Sequence, residues 1–413
     1  MIFTVPQTLI RILGKLQNLK PLTLYISIGQ RILWSFILGG VFMDPIQGAT
    51  TLERRLVHKA KQSTVPINGS IELLPLCNMN CDMCYVRLSP SEMEAQGKLR
   101  SLDEWLHVAE EMKDAGTLFL LLTGGEPLLY SEFNQLYLKL KDMGFVITIN
   151  TNGTLIDEAW ADFFGEHKPR RINITLYGAN DQAYRELCHY PGGFDKVMYA
   201  VKLLKEREVD VKLSSSLTRA NQNDMARIID LGEELGIPVR VDTYMMPAVR
   251  ERNRPYDEQS RLDPVSAARV RIQALKQEMG KELFEEYARK IVFEVEHILP
   301  EDGPGKVHCL AGNCSFTINW QGYLRPCVVM SKPSVSVFEE GFEKAWQKVS
   351  VAVSEIQTSS VCNACKYRPI CRTCCASALL EEGSYDAVPE YMCAYAKESY
   401  QLIRAFYKSN LMK

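Results

Sequence analysis

Neither sign of charge dominates this chain. Lys and Arg number 48 against 50 Asp and Glu, a net charge of −2, so the basic footprint of a nucleic-acid binder is missing and no nucleic-acid partner is expected. The first 43 residues carry only Arg11, Lys15, Lys20 and Arg31 as charges, yet their uncharged run, Ile32 to Met43, is twelve residues. A bilayer span needs about 20, so residues 1–43 read instead as a core helix, a membrane-surface segment or a docking face for a partner. No cleavable signal peptide is read there, which removes the secretory setting in which thirteen Cys would suggest disulfides. A reducing, anaerobic cytoplasm is the expected compartment. Histidine is scarce, with six in 413 residues. At 46% apolar and 24% charged, the chain has ordinary globular composition and length enough for two or three domains with a large core.

Against this background the cysteines stand out. Cys77, Cys81 and Cys84 lie in IELLPLCNMNCDMCYV. A cubane iron-sulfur cluster normally takes four thiolates, so C-x3-C-x2-C leaves one iron without a protein ligand. An open position on a metal admits water, cofactor or substrate, as in catalytic rather than structural sites. Zinc is the competing reading, but zinc favours paired Cys or His with a fourth ligand close by, and the first His after the triplet, His107, lies well downstream.

The segment resembles the signature of the radical S-adenosylmethionine (SAM) superfamily. An apolar run, Ile71 to Leu76, precedes the triplet; Met83 stands before its last Cys and Tyr85 after it; Thr123-Gly124-Gly125-Glu126-Pro127 follows some forty residues on. The resemblance implies that SAM chelates the open iron and that Gly124, Gly125 and Glu126 hold its methionine amine. By position in the family, Met83, Tyr85, Thr175, Arg185 and Leu217 are further cofactor contacts. Asn152, in Thr151-Asn152-Gly153, reads equally as a pocket residue or a turn residue, since Asn-Gly is a common tight-turn pair.

Strand-like runs at 71–76, 117–122, 145–150, 172–176, 209–215 and 237–244 alternate with helical patterns, which predicts an α/β fold with a parallel sheet. Ser101 and Glu104 form a capping-box pair ahead of a stripe of Leu102, Trp105, Ala109 and Met112; Phe194, Val197, Val201 and Leu204 make a second stripe. Six units match the partial (β/α)6 TIM-like barrel of the superfamily, whose open side would admit a polypeptide. The expected divisions are 1–64, an apolar and basic segment; 65–249, the barrel; 250–305, a charged helical connector opened by an Asp263 N-cap and Pro264; and 306–413, a Cys-rich domain.

Nine of the thirteen Cys lie in that last region. Cys309, twelve residues, Gly322, four residues, Cys327, then Cys362-x2-Cys365-x5-Cys371-x3-Cys375 and, seventeen residues later, Cys393 resemble the SPASM domain of peptide-modifying radical SAM enzymes. The resemblance implies two closed auxiliary 4Fe-4S clusters, one on Cys309, Cys314, Cys327 and Cys375, the other on Cys362, Cys365, Cys371 and Cys393, making three clusters in all. A zinc ribbon is the alternative for the Cys-x2-Cys group. Cys374 competes with Cys375, and Cys188 reads as a small buried hydrophobe.

The implied activity is reductive cleavage of SAM to a 5′-deoxyadenosyl radical, hydrogen abstraction from a precursor peptide, and oxidative cross-linking (thioether or carbon-carbon), with a flavodoxin or ferredoxin as reductant. Leu176-Tyr177-Gly178-Ala179-Asn180 is closer to such maturases than to sulfatase-activating enzymes, and Val328 stands where the latter carry an Asp. Formylglycine formation and peptide epimerisation are the alternatives within the family. A noncatalytic electron carrier is the alternative outside it.

Overall fold

The computed structural model describes residues 51–246, 260–299, 301–371 and 373–411. The chain divides into two units, 1–56 and 57–413. The charges and apolar run of residues 1–43, the 249/250 boundary and the first part of the connector lie outside the described residues. Among the described residues no helix is long and apolar enough to cross a membrane.

All six expected strands form: β1 Asn68–Glu72, β2 Phe119–Thr123, β3 Val146–Thr151, β4 Arg171–Thr175, β5 Val211–Ser216 and β6 Val239–Asp242. They pair in chain order and in parallel, and helices run between them. Alternation along each strand separates two faces. Ile71, Leu122, Ile149, Ile172, Ile174 and Leu213 are fully buried, against helices that include α1, Leu102–Asp114, and α2, Gly193–Glu206. Trp105, Ala109 and Met112 of the first stripe are buried, as are Val197, Val201 and Leu204 of the second. Each such side chain contributes about 1.5–3 kcal/mol by leaving water. The Ser101–Glu104 capping box is present at the start of α1. Asp263 caps the long connector helix, α3, Pro264–His297, which breaks at Gly280.

One expectation needs correction, the end of the first strand, and the sheet carries strands beyond the six expected. The apolar run predicts a first strand over 71–76, but the strand ends at Glu72, level with the ends of its two neighbours at Thr123 and Ile318, which leaves residues 73–76 no ladder to continue. Residues 73–76 instead run on as an extended segment that bonds to the end of β2 and the turn after it. The sheet also does not stop at six strands. Residues Ser315–Ile318 (β7) pair in parallel with β1, and Tyr323–Arg325 (β8) and Val335–Ser336 (β9) extend the same sheet, so part of the Cys-rich region is continuous with the barrel sheet. Gly322 turns the chain between β7 and β8 at φ +91, where a Cβ would stand 2.2 Å from the Phe338 ring.

The C-terminal helices close on the exit of β6 through a buried polar contact. Glu381 Oε1 accepts from Arg261 (2.9 Å) and from the Tyr244 hydroxyl (2.8 Å), and the Arg261 guanidinium lies 3.5 Å over the Tyr391 ring. Both ion-pair partners are nearly inaccessible, where an ion pair fixes an arrangement more than it adds net stability.

Candidate functional site: a thiol loop seated on a Gly-Gly-Glu turn

The three barrel thiols and the Gly-Gly-Glu sequence meet because the segment after β1 runs alongside the turn after β2. Gly125 N–H donates to Leu74 O (2.7 Å) and Glu126 N–H to Leu76 O (2.9 Å). The glycines make this possible: a Cβ on Gly125 would lie 2.1 Å from Leu76 O, and one on Gly124 2.6 Å from Leu74 O. Cys77 follows directly. The loop is held on its other side by the segment after β4, where Asn80 N–H donates to Cys188 O (3.1 Å) and Asp82 N–H to Leu187 O (3.0 Å). His189 Nε2 meets Asp82 Oδ1 at 2.8 Å.

Glu126 is fully buried. Its carboxylate accepts from Thr151 Oγ1 (2.8 Å), Asn152 N–H (2.8 Å) and Leu128 N–H (3.2 Å). Burial outweighs these donors and pushes its pKa up to about 7. The unfolded chain has the ordinary carboxyl value near 4.5, so folding favours the protonated form. The stability this contributes is complete below pH 4.5 and is lost as pH rises through about 7. A shift of this size is worth roughly 3 kcal/mol. In urea titrations of the cluster-free protein, the stability of wild type relative to Glu126→Gln is expected to fall between pH 5 and pH 8. A pH-independent difference would contradict it.

The thiols accept hydrogen bonds, and Cys77 Sγ also donates one to Asn78 Oδ1 at 3.9 Å. Met79 N–H (3.4 Å) and Asn152 Nδ2 (3.7 Å) reach Cys77 Sγ, and Arg87 N–H reaches Cys84 Sγ (3.2 Å). Burial pushes the Cys77 thiol up to about 12, whereas hydrogen bonds from Cys188 and then Tyr177 hold Cys81 below its usual value. Asn80 Oδ1 and Arg87 Nε are buried without a hydrogen-bond partner among the described residues. Donors aimed at sulfur on a three-Cys loop fit iron-sulfur ligation, which requires thiolates. Among the described residues no three Cys, His, Asp or Glu side chains meet as ligands of a single ion; a cubane instead spreads its thiolates over separate irons.

The remaining predicted contacts are placed unevenly. Thr175 ends β4, on the strand face opposite the buried Ile172 and Ile174. Met83 is half-buried and packs against the core, Tyr85 is exposed, and Leu217 is buried in the core. Arg185 is turned outward, 64% exposed, with its guanidinium on Asp181 at 2.9 Å. Asn152 is buried and bonds on every side, so it is more than a turn residue. Gly153, at φ +78, supplies the turn. Cys188 is fully buried as expected, yet its thiol bonds Cys81. Neither role could be read from a pattern; the sequence signal for Asn152 was its place at a strand end.

The C-terminal thiols form two groups. Burial, with the charges of neighbouring thiols added, raises Cys309, Cys327 and Cys375, and Cys374 acts on all three; Cys314 is raised by burial and by Cys309. Cys371 is pushed up to about 12 by burial, with added effect from Cys362, Cys393 and Cys365. Cys375 opens a helix, Cys375–Glu382, and Cys374 caps it, its sulfur accepting from Ser377 N–H at 3.4 Å.

Comparison with known proteins places this geometry. The family model described as the radical SAM superfamily matches residues 71–247. The AdoMet-dependent heme synthase of Methanosarcina barkeri is 23% identical over 341 residues, 78% of this chain and 95% of that protein. The antilisterial bacteriocin subtilosin biosynthesis protein AlbA of Bacillus subtilis is 24% identical over 310 residues, 70% of this chain and 64% of that protein. The structure of Streptococcus suis SuiB bound to precursor peptide SuiA has the same fold, with a TM-score of 0.61 at 18% identity, covering 89% of this chain and 87% of that one.

Proposed function

We propose, from the premise that residues 71–247 are a radical SAM domain, that this radical SAM enzyme oxidatively modifies a ribosomally made precursor peptide by installing a thioether or carbon-carbon cross-link. The observation that carries the SAM chemistry is the seating of the Cys77/Cys81/Cys84 loop on the Gly124-Gly125-Glu126 turn. When bound, a 4Fe-4S cluster and SAM supply one electron and a 5′-deoxyadenosyl radical that removes hydrogen from the substrate.

The chain's own part is to hold and orient. Cys77, Cys81 and Cys84 hold the cluster, and Glu126 with the Gly124-Gly125 backbone holds the methionine amine, a cation beside which the carboxylate ionises readily. Thr175, Met83, Tyr85 and Leu217 shape the rest of the cofactor site; Arg185 would need to leave Asp181 to join them. Cys309, Cys314, Cys327 and Cys375, and Cys362, Cys365, Cys371 and Cys393, would hold two auxiliary clusters, groups whose chemistry is one-electron acceptance. A flavodoxin or ferredoxin in a reducing cytoplasm supplies the first electron. The peptide substrate is supported by similarity to AlbA and by the fold shared with peptide-bound SuiB.

One observation favours a second substrate. Arg171, Lys212 and Arg240 lie on one face of β4, β5 and β6, diagonal to one another in the register. Burial, then Arg240 and Arg171, lower Lys212 to about 8. Arg171 bonds Asp210 at 2.9 Å and Arg240 bonds Asp242 at 3.3 Å, so a substrate with carboxylates, such as a heme precursor of the kind the M. barkeri relative's name implies, would have to compete with those pairs for this cationic face.

The test is anaerobic turnover of the reconstituted enzyme with SAM and dithionite. Precursor peptides encoded beside the gene are offered in one arm and a propionate-bearing iron porphyrin in the other. Formation of 5′-deoxyadenosine with a peptide mass loss of about 2 Da, two hydrogens per cross-link, supports the first reading. Porphyrin modification alone supports the second. No 5′-deoxyadenosine in any arm would leave an electron carrier.

A further inference from the structure

Asn152 touches both halves of the site. Its backbone N–H donates to Glu126 Oε2 (2.8 Å), while its side-chain Nδ2 donates to Asn78 Oδ1 (2.8 Å) and reaches Cys77 Sγ (3.7 Å). The amide oxygen is occupied as well, accepting from Thr154 N–H (2.9 Å) and Thr154 Oγ1 (2.7 Å). With both ends of the amide engaged, its orientation is determined: the nitrogen faces the thiol and the oxygen faces Thr154. Asn78 Nδ2 donates back to Thr154 Oγ1 (2.9 Å), closing a ring of three side chains. The Tyr190 hydroxyl accepts from Lys196 Nζ (2.9 Å), which holds its pKa below the usual phenol value, with smaller effects from Asn78 and Thr154.

We propose that Asn152 is a positioning residue that tunes the SAM-binding cluster. Its side-chain amide stabilises electron density on the Cys77 sulfur and raises the cluster's reduction potential, and its backbone N–H sets Glu126 at a constant offset from that sulfur. This rests on the reading that Cys77 is a cluster ligand. The physics is that of outer-shell tuning: hydrogen bonds to the sulfurs of an iron-sulfur cluster favour its reduced, more negative state. The two contacts separate by mutation, because a side-chain change leaves the backbone N–H on Glu126 in place.

The experiment is an EPR-monitored redox titration of the reconstituted full-length enzyme, following only the signal that changes on adding SAM. Asn152→Ala removes the donor. Asn152→Asp keeps the shape but turns an acceptor toward the sulfur, a harsher change at the same volume. Expected is a reduced-to-oxidised ratio at fixed potential lower by about tenfold in Asn152→Ala, equivalent to about 59 mV for one electron, and lower still in Asn152→Asp. The apparent affinity for SAM should change less than the potential, since Glu126 keeps its partner.

Potentials equal to wild type in both variants, with the SAM-responsive signal intact, overturn the inference alone. Failure of both variants to take up the cluster also overturns it, because Asn152 would then be a structural support of the loop. Absence of any SAM-responsive signal in wild type overturns both this inference and the function proposed above.

Discussion

Gly125→Ala is expected to unseat the thiol loop. The added methyl would stand 2.1 Å from Leu76 O and 2.6 Å from Leu76 C, backbone atoms that cannot rotate away as a flexible side chain could. Either the turn after β2 or the segment leading into Cys77 must move, and the bonds from Gly125 N–H and Glu126 N–H to Leu74 O and Leu76 O go with it. Overpacking alone costs about 1–3 kcal/mol, and two lost bonds add about 1 kcal/mol each. A loss of at least about 3 kcal/mol is therefore expected in urea unfolding of the cluster-free protein, and in a separate reconstitution the proposed Cys77/Cys81/Cys84 site should take up less iron. Gly192→Ala is the control. Gly192 has nothing within 4 Å of its Cβ position but sits at φ +76, so it should show only the left-handed strain of roughly 1–2 kcal/mol. Equal urea midpoints for Gly125→Ala and wild type would disprove the close approach.

The second large effect separates the barrel thiols from the C-terminal ones. A cluster that already has one iron without a protein ligand cannot spare another thiolate. Cys81 is the sharpest choice, being buried and flanked by the two backbone bonds that tie the loop to residues 187–188. Cys81→Ala should reduce 5′-deoxyadenosine formation by more than the 10–100-fold typical of changes one shell further out, thus by at least about a hundredfold. A Cys327→Ala, Cys371→Ala double variant should still cleave SAM but release little modified product, because on the proposed assignment it would leave each auxiliary cluster one ligand short. Cys188→Ala should keep the cluster, since Cys188 bonds a ligand without being one. SAM cleavage at the wild-type rate in Cys81→Ala would remove the ligand assignment. Unchanged product yield in the double variant would remove the auxiliary role.

The seam at Glu381 bears on both results. Arg261 and Tyr244 meet Glu381 six residues beyond Cys375, on the helix that Cys375 opens. That contact gives the C-terminal thiols a defined position relative to the β6 exit. The continuation of the sheet through β7 does the same from the other edge, since Cys314 directly precedes β7 and its carbonyl accepts from Asn68 N–H of β1 at 3.1 Å.

Local patterns carried much of this protein. Spacing of three and four residues is enough to recognise α1 and α2, and the Ser101–Glu104 cap marks a helix start, because these signals depend only on residues within one or two turns. The C-x3-C-x2-C and Gly-Gly-Glu sequences carry the resemblance to the radical SAM superfamily, whose family model matches residues 71–247. The apolar run 71–76 does not mark the end of the first strand, because β2 stops at Thr123 and residues 73–76 bond instead to its end and to the Gly-Gly-Glu turn.

Which side chains meet across large gaps in the chain is fixed by folding in three dimensions. Asn152 with Cys77, Cys188 with Cys81, β7 with β1 and Glu381 with Arg261 are joined by contacts whose energy depends on three-dimensional proximity and burial, and neither composition nor periodicity encodes those distances.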